Sequence, residues 1–490
     1  MTTEDEPPRG LGDTTTAGPN PTRVVEALSS RSFEVHCPVV TLTQCQEVNP
    51  EIIRGRGSIR LLGRTDFEIS LHADAGTDPM VDINRLMKQT SGTFVADTEY
   101  YALKATDYDG VEWCAERVLV KREGWGPVFV TGVFPELKNR TNGPTMDNSY
   151  VTLIFFGDPG LRYNQYIRTE TMIGDEADKE LYLAAVGFED RGFSIRVRPM
   201  NVKEDAIKVI VDVSKGVEVR NIEQRVTEAL SYVLCRPVHW SLCLKEQSGQ
   251  RELILTPRKT HGARTIHSPI GPHPTWAKDF WQLFSAYLRH IVDHPSPDPF
   301  HYSPLATQLR PLISGESDEL VVIALLVTVA VEGVLHLEFP QFGKPTSVFV
   351  GCLERAQEVL RRMKGMEDGF RNRAGGALSA MKEARARDKL IALRDMKVLT
   401  EEMIGAWTGL RNASAHATID PKSFDNQRLW NQCNTVATML HLLVFTAIGY
   451  SGRYLDFSVE GWPEKEFVPP TLRSSETPAE GAPTKTEYSQ

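Results

Sequence analysis

Residues 275–294, "TWAKDFWQLFSAYLRHIVDH", mark the point where the chain changes its period. Trp276, Phe280, Leu283, Phe284, Tyr287, Leu288 and Ile291 recur at steps of three and four, so they form one broad apolar stripe on a helix, with Thr275 placed to cap its start. Before this stretch the apolar residues alternate. In "SIRLLGRTDFEISLHA", residues 58–73, Ile59 and Leu61, then Phe67, Ile69 and Leu71, fall every second position, as on a half-buried strand. "VEWCAERVLVKR", "GPVFVTGVF", "YVTLIFFG", "GFSIRVRP" and "AIKVIVDVS" follow, separated by turn formers. "HWSLCLKEQSGQRELILTPR" reads as a hairpin turning at Ser248-Gly249, and "RNIEQRVTEALSYVLCR" is the one amphipathic helix among the strands. After the stretch, four helical segments occupy about 318–338, 346–366, 376–414 and 424–450. The third reads as one long helix or as two broken near Val398–Thr400, where Thr400 would cap the second piece.

The expected fold is therefore α+β and multidomain. A disordered tail (1–32) leads into a strand-rich, sandwich-like region (33–265), with a barrel-like sheet as the other arrangement such strands allow. A linker with its connecting helix (266–317), an all-α bundle of antiparallel helices (318–462) and a second disordered tail (463–490) complete the chain. At 490 residues, two or three domains are the natural division.

Several functional classes are disfavoured. A net charge of -9 argues against nonspecific coating of nucleic acid, though it leaves room for a local basic site. No GxGxxG fingerprint, Walker A loop or GxSxG elbow occurs. The seven cysteines include no CxxC pair, and their odd number and wide spacing suit reduced thiols in a cytoplasm. The N-terminus opens with acids and has no apolar core, unlike a signal peptide. The most apolar run, "LVVIALLVTVAV" at 320–331, is stopped by Glu332 short of the ~20 residues of a membrane span and reads as a buried helix. No membrane partner is expected.

The residues with chemical potential cluster in "WTGLRNASAH", 407–416. Cleaving RNA without a metal requires a group to take the 2′-OH proton, a group to protonate the 5′-oxygen, and fixed positive charge on the phosphate. Histidine titrates in the right range for the first two. Arginine offers a donor fork that matches phosphate oxygens. Arg411 and His416 are candidates for these roles, with Asn412 beside them. A five-residue step turns a regular helix by roughly 140°, so the pair converges only if the helix loosens or a second copy completes the site. The competing reading makes Arg411 a helix-end residue and His416 a surface side chain.

This stretch, together with "VAVEGVLHLEF" (329–339) and "FTAIGYSGRYLDFSVEGWP" (445–463), resembles a HEPN domain (higher eukaryotes and prokaryotes nucleotide-binding) of the ApeA-like, anti-phage branch. The resemblance covers 318–462, about a third of the 490 residues. It implies a metal-independent endoribonuclease, without a cofactor, in which two protomers join their Arg-His motifs across a two-fold axis. Arg411, Asn412 and His416 would be the catalytic residues. The RNA would be tRNA or another cellular RNA, in phage defence with a phage-derived trigger or in a regulated toxin. The alternative is a non-catalytic HEPN module that binds a nucleotide or RNA, or only dimerises.

Two further features flank the motif. The basic stretch 371–397 is either a solvated helix face or a phosphate track, with Arg385, Arg387, Lys389 and Arg394 as candidate RNA contacts. Glu332 is either a paired core carboxylate, the preferred reading, or a group that orients Arg411. His290 and His294 share a helix face, but no third ligand is evident and no metal is expected.

Overall fold

A computed structural model describes residues 18–46, 48–63, 66–73, 95–123, 129–143, 148–157, 159–163, 165–173, 176–190, 193–200, 206–214, 221–247, 249–257, 266–292, 302–315, 319–363, 365–416 and 425–470. The chain divides into two units, Met1–Glu316 and Ser317–Gln490.

The first unit begins with helix α1 (Pro21–Ser29), followed by β1 (Glu34–Gln44), β2 (Ile52–Leu62), β3 (Asp66–Ala73), β4 (Tyr101–Thr106), β5 (Glu112–Glu123) and β6 (Phe129–Phe134). These strands pair antiparallel in the order β4-β1-β2-β3-β6-β5, and β5 returns to β4, closing a six-stranded barrel. The sandwich-like expectation is corrected accordingly. Irregularities in two strands bend the sheet enough to close. In β1 the register slips between Cys37 and Val40, at Pro38, which has no N–H to give the ladder. In β5 Arg117 sits at φ 55, where pairing with β4 shifts between Tyr101 and Leu103. Gly55 and Gly57 allow the tight contact of β2 with β3, because a Cβ there would lie 2.0 and 2.1 Å from the carbonyl oxygens of His72 and Ser70.

Ile59, Phe67, Ile69 and Leu71 point into the core, as their alternation predicts. Phe33 meets Phe67 and Trp113 edge-on at centroid distances of 5.6 and 6.1 Å. Trp113 donates its indole N–H to Asp107 at 3.0 Å, so its polar end is satisfied. Val24, Val25 and Leu28 of α1 join the same core. This corrects the reading of 1–32 as a disordered tail: Asn20 accepts the N–H of Thr22, Pro21 occupies the first helical turn, and an apolar face follows.

From β5 the sheet continues through β7 (Leu137–Asn142), β8 (Ser149–Phe156), β9 (Gln165–Ile173), β10 (Glu176–Asp190), β11 (Phe193–Met200), β12 (Ala206–Val213), β13 (Leu242–Gln247) and β14 (Gln250–Leu255). Their order is β7-β14-β13-β8-β12-β11-β10-β9. The hairpin expected at Ser248-Gly249 is present, with Gln247 opposite Gln250 and Gly249 at φ +77. Asn139, which begins an Asn-Arg-Thr sequon, is buried and donates to the Glu112 carbonyl at 2.7 Å.

Helices α2 (Ile222–Leu234), α3 (Ala277–Val292) and α4 (Pro304–Ile313) belong to this unit. Tyr232 of α2 stacks on Tyr287 of α3 at 4.6 Å. The segment 266–317, read as a linker with a connecting helix, thus contributes two packed helices to the first unit. The start of α3 also differs from expectation. A 3-10 turn, Pro274–Trp276, precedes it, and His273 rather than Thr275 is the cap, accepting the Thr275 N–H. Within α2, Arg225 and Glu228 form a buried ion pair at 2.9 Å, and the same carboxylate accepts the Ser303 N–H at 3.2 Å.

The second unit contains α5 (Leu320–Glu338), α6 (Ser347–Arg362), α7 (Asp368–Ala380), α8 (Ala386–Asp395), α9 (Glu401–His416), α10 (Asn426–Ile448) and the hairpin β15 (Gly452–Leu455) with β16 (Glu464–Phe467). The break at Val398–Thr400 is present, and Thr400 Oγ1 accepts the Met403 N–H at 3.3 Å. A second break, at 381–385, makes three helices of what was read as one or two. Apolar helix α10 is buried nearly all round from Cys433 to Thr446 and packs against α5 and α9. Helices α6 and α7 pair with each other, and among their residues only Leu353 is buried, so α6 is not one of the core helices. Phe445 of α10 packs against Tyr450, Tyr454 and Phe467. Residues 464–467 are therefore a strand, not part of a disordered tail.

Among the described residues, α5 alone has the length and apolarity to cross a membrane. Ile323, Ala324, Val327, Val331, Val334 and Leu335 are buried within the unit, so the reading of a buried helix holds for one face of α5. A second face is not covered: Val321, Leu325 and Val329, at steps of four, are 38%, 46% and 56% exposed.

Candidate functional site

Helix α9 is anchored by Met403, Ile404, Trp407 and Leu410, all buried at steps of one, three and four. Arg411, one turn beyond Trp407, and Asn412 follow these anchors, and both are exposed. Arg411 Nε donates to Glu332 Oε1 of α5, and the two side chains are 52% and 38% exposed. The Arg411 guanidinium carbon lies 5.8 Å from the centre of the Trp407 ring, one helical turn back. A carboxylate on one helix and an indole on its own thus fix the direction of an arginine that remains open to solvent. Glu332 is therefore not a paired core carboxylate; it is the group that orients Arg411. The sequence held the signal, an isolated acid in an apolar helix, but the 79-residue separation hid the partner.

Helix α9 continues unbroken through His416. The His416 side chain and residues 417–424 lie outside the described residues. A continuous helix places His416 about 7.5 Å along the axis from Arg411 and turned by roughly 140°. The loosening that would have let one chain align the pair does not occur.

The four candidate RNA contacts separate into two groups. Arg385, at the N-cap of α8, and Arg387, in its first turn, are exposed. Lys389 is buried and donates to the Leu335 carbonyl at 3.0 Å, near the end of α5, where a cation meets the negative pole of the helix. Burial, with a smaller contribution from Lys344, holds its pKa below the usual lysine value. Gly343, at φ +65, lets the α5–α6 loop approach, since a Cβ there would lie 2.6 Å from the Asp388 backbone. Lys389 is therefore a packing residue and is corrected as a phosphate contact. Arg394 is also corrected, because it is held between Asp395, at 2.8 Å, and Glu401 at the start of α9. Asn412 is exposed beside Arg411.

His290 ends α3 in the first unit, while Asp293, His294 and His301 lie outside the described residues. Among the described residues, no three His, Cys, Asp or Glu side chains gather as a metal site. All seven cysteines are free thiols. Burial pushes Cys37 up to about 12 and Cys433 up to about 11, so neither is a nucleophile at neutral pH.

Set against protein-family models, curated proteins and solved structures, the chain matches none.

Proposed function

We propose that the second unit is a metal-independent endoribonuclease of the HEPN type, with Arg411 and His416 as its reacting groups. The observation that carries this reading is the Glu332–Arg411–Trp407 arrangement. It holds a permanently charged guanidinium, half open to solvent, on the helix that ends in His416. In the proposed reaction, a neutral imidazole of His416 takes the proton of the 2′-OH. The 2′-oxygen then forms a bond to phosphorus, and the bond to the 5′-oxygen breaks. A protonated imidazole supplies the leaving oxygen with its proton, while Arg411 meets the charge that grows on the phosphate oxygens. The need for a 2′-OH restricts the substrate to RNA, with tRNA or another cellular RNA as its class. Phage defence under a phage-derived trigger, or a regulated toxin, is the role this activity serves, in a cytoplasm consistent with seven free thiols.

The test uses purified protein and total cellular RNA in excess chelator. Cleavage is expected to persist, leaving 2′,3′-cyclic phosphate and 5′-OH ends. Activity lost to chelator and restored by added metal, or 5′-phosphate products, would overturn the mechanism.

The 140° offset between Arg411 and His416 calls for a second chain, and the uncovered face of α5 supports one. Val321, Leu325 and Val329 run along the helix towards Glu332, so a second copy covering this stripe would meet the first beside Arg411. Leu325→Glu is expected to weaken self-association by at least about 100-fold, since a two-fold axis counts each lost leucine contact twice at about 1.5–3 kcal/mol. Cleavage should fall with it. Light scattering and the cleavage assay on the same samples decide the point. Full activity from a wild-type monomer would remove the composite site and leave α5 as an interaction surface without a catalytic part.

A further inference from the structure

The first unit encloses a hollow of about 270 Å³ between α2, α4 and residues 237–240. Its framework is fixed by polar contacts. Ser303 Oγ accepts the Ala306 N–H at 3.1 Å, the Val238 N–H donates to Ser231 Oγ at 3.2 Å, and Thr256 Oγ1 donates to the Trp240 carbonyl at 2.6 Å. Glu228 also lines the hollow, and its buried ion pair with Arg225 leaves it no unbalanced charge.

The wall has three kinds of chemistry. Trp240, Tyr287 and Tyr302 supply aromatic surface, and Gln224 and Thr227 supply hydrogen-bonding groups. Arg310 supplies charge. Its guanidinium carbon stands 4.3 Å from the centre of the Tyr302 ring, and no carboxylate pairs with it among the described residues. Among the described residues, the only permanently charged lining side chain without a counter-charge is thus positive and lies beside an aromatic ring. An arginine of this kind suits phosphate oxygens, and aromatic faces suit a nucleobase, whose ring edges also engage amide and hydroxyl groups. The volume is at the small end of the range for small-molecule sites, ~300–1,000 Å³, which limits the occupant to a single nucleotide.

We propose that this hollow binds a nucleoside monophosphate, with its base against the aromatic wall and its phosphate on Arg310. The assignment is independent of the ribonuclease reading, since every lining residue belongs to the first unit.

The experiment titrates the full-length protein calorimetrically with AMP, GMP, CMP and UMP, and with adenosine and inorganic phosphate alone. The Arg411→Ala background keeps the proposed nuclease site out of the signal. At least one monophosphate is expected to bind saturably, with adenosine and inorganic phosphate each about 10-fold weaker or more. Arg310→Glu should lower the affinity by about 10-fold or more at an unchanged thermal midpoint, because its side chain is exposed on α4. Trp240→Leu should weaken binding as well. Saturation-transfer NMR on the protein without these changes should place the base protons in contact, so the result does not depend on a variant folding. Absence of saturable binding by all four monophosphates, affinity unchanged in Arg310→Glu, or inorganic phosphate binding as tightly as the best nucleotide would each overturn the proposal.

Discussion

Replacing His416 or Arg411 with alanine is expected to reduce RNA cleavage by about 10²-fold or more, with almost no change in thermal midpoint. A positioned acid or base contributes about 10²–10⁴-fold, and a donor aimed at developing charge about 10²–10³-fold. Neither alanine should cost much stability. The Arg411–Glu332 pair is half exposed, and pairs of that kind are worth about 0–1 kcal/mol. Glu332→Gln offers a graded version, because it retains a hydrogen-bond acceptor for Arg411 but removes the charge that aims it. Its loss should be intermediate and fall on kcat. The measurement is cleavage rate against melting temperature for all three variants. Wild-type rates in both alanine variants would dismiss the assignment of the site.

Arg225→Ala should destabilise the first unit by about 3–5 kcal/mol, the usual cost of leaving one member of a buried ion pair without the other. Both side chains are almost fully enclosed, and Glu228 also receives the Ser303 N–H that fixes the start of α4. Burial already raises the Glu228 pKa, against the opposing pull of Arg225 and Ser303. A carboxyl whose folded pKa lies above its unfolded value binds more protons when folded, so stability falls as pH rises through the interval between the two values. Removing Arg225 widens that interval upwards. The deficit of Arg225→Ala relative to wild type should therefore be largest at pH 8 and shrink towards pH 5. Adding Glu228→Gln to Arg225→Ala should recover part of the loss at pH 8. Denaturant titration at the two pH values reads this directly, and a deficit independent of pH would show that Glu228 is not the cause.

Local order was legible in the sequence, and closure was not. The alternation at Ile59, Phe67, Ile69 and Leu71 and the Ser248-Gly249 turn specify strands and a hairpin through near neighbours. Pairing of β1 with β4 and of β4 with β5 depends on bends at Pro38, which marks an interruption without saying what the bend closes, and at Arg117, which looks like an ordinary residue in a strand. Composition concealed α1, because the Pro, Thr and Gly around it resemble a tail, while Val24, Val25 and Leu28 have the spacing of a buried face. Counting charge misled at Lys389, which falls in register with Leu390 and Leu393 on the inward side of α8. At the proposed site the reactive residue types were visible in one short helix. The partner that directs Arg411 was not, since a contact across 79 residues has no local signature.

The position of α1 ahead of all six barrel strands has a kinetic consequence during synthesis. Leu28 leaves the ribosome 106 residues before Phe134, the last residue of the strand that completes the barrel. At ~5–20 residues per second, that leaves Val24, Val25 and Leu28 in water for about 5–20 s before the core they fill exists. Over that interval the apolar face of α1 is a ready target for chaperones, and residues made before the barrel strands wait for those strands to find their place.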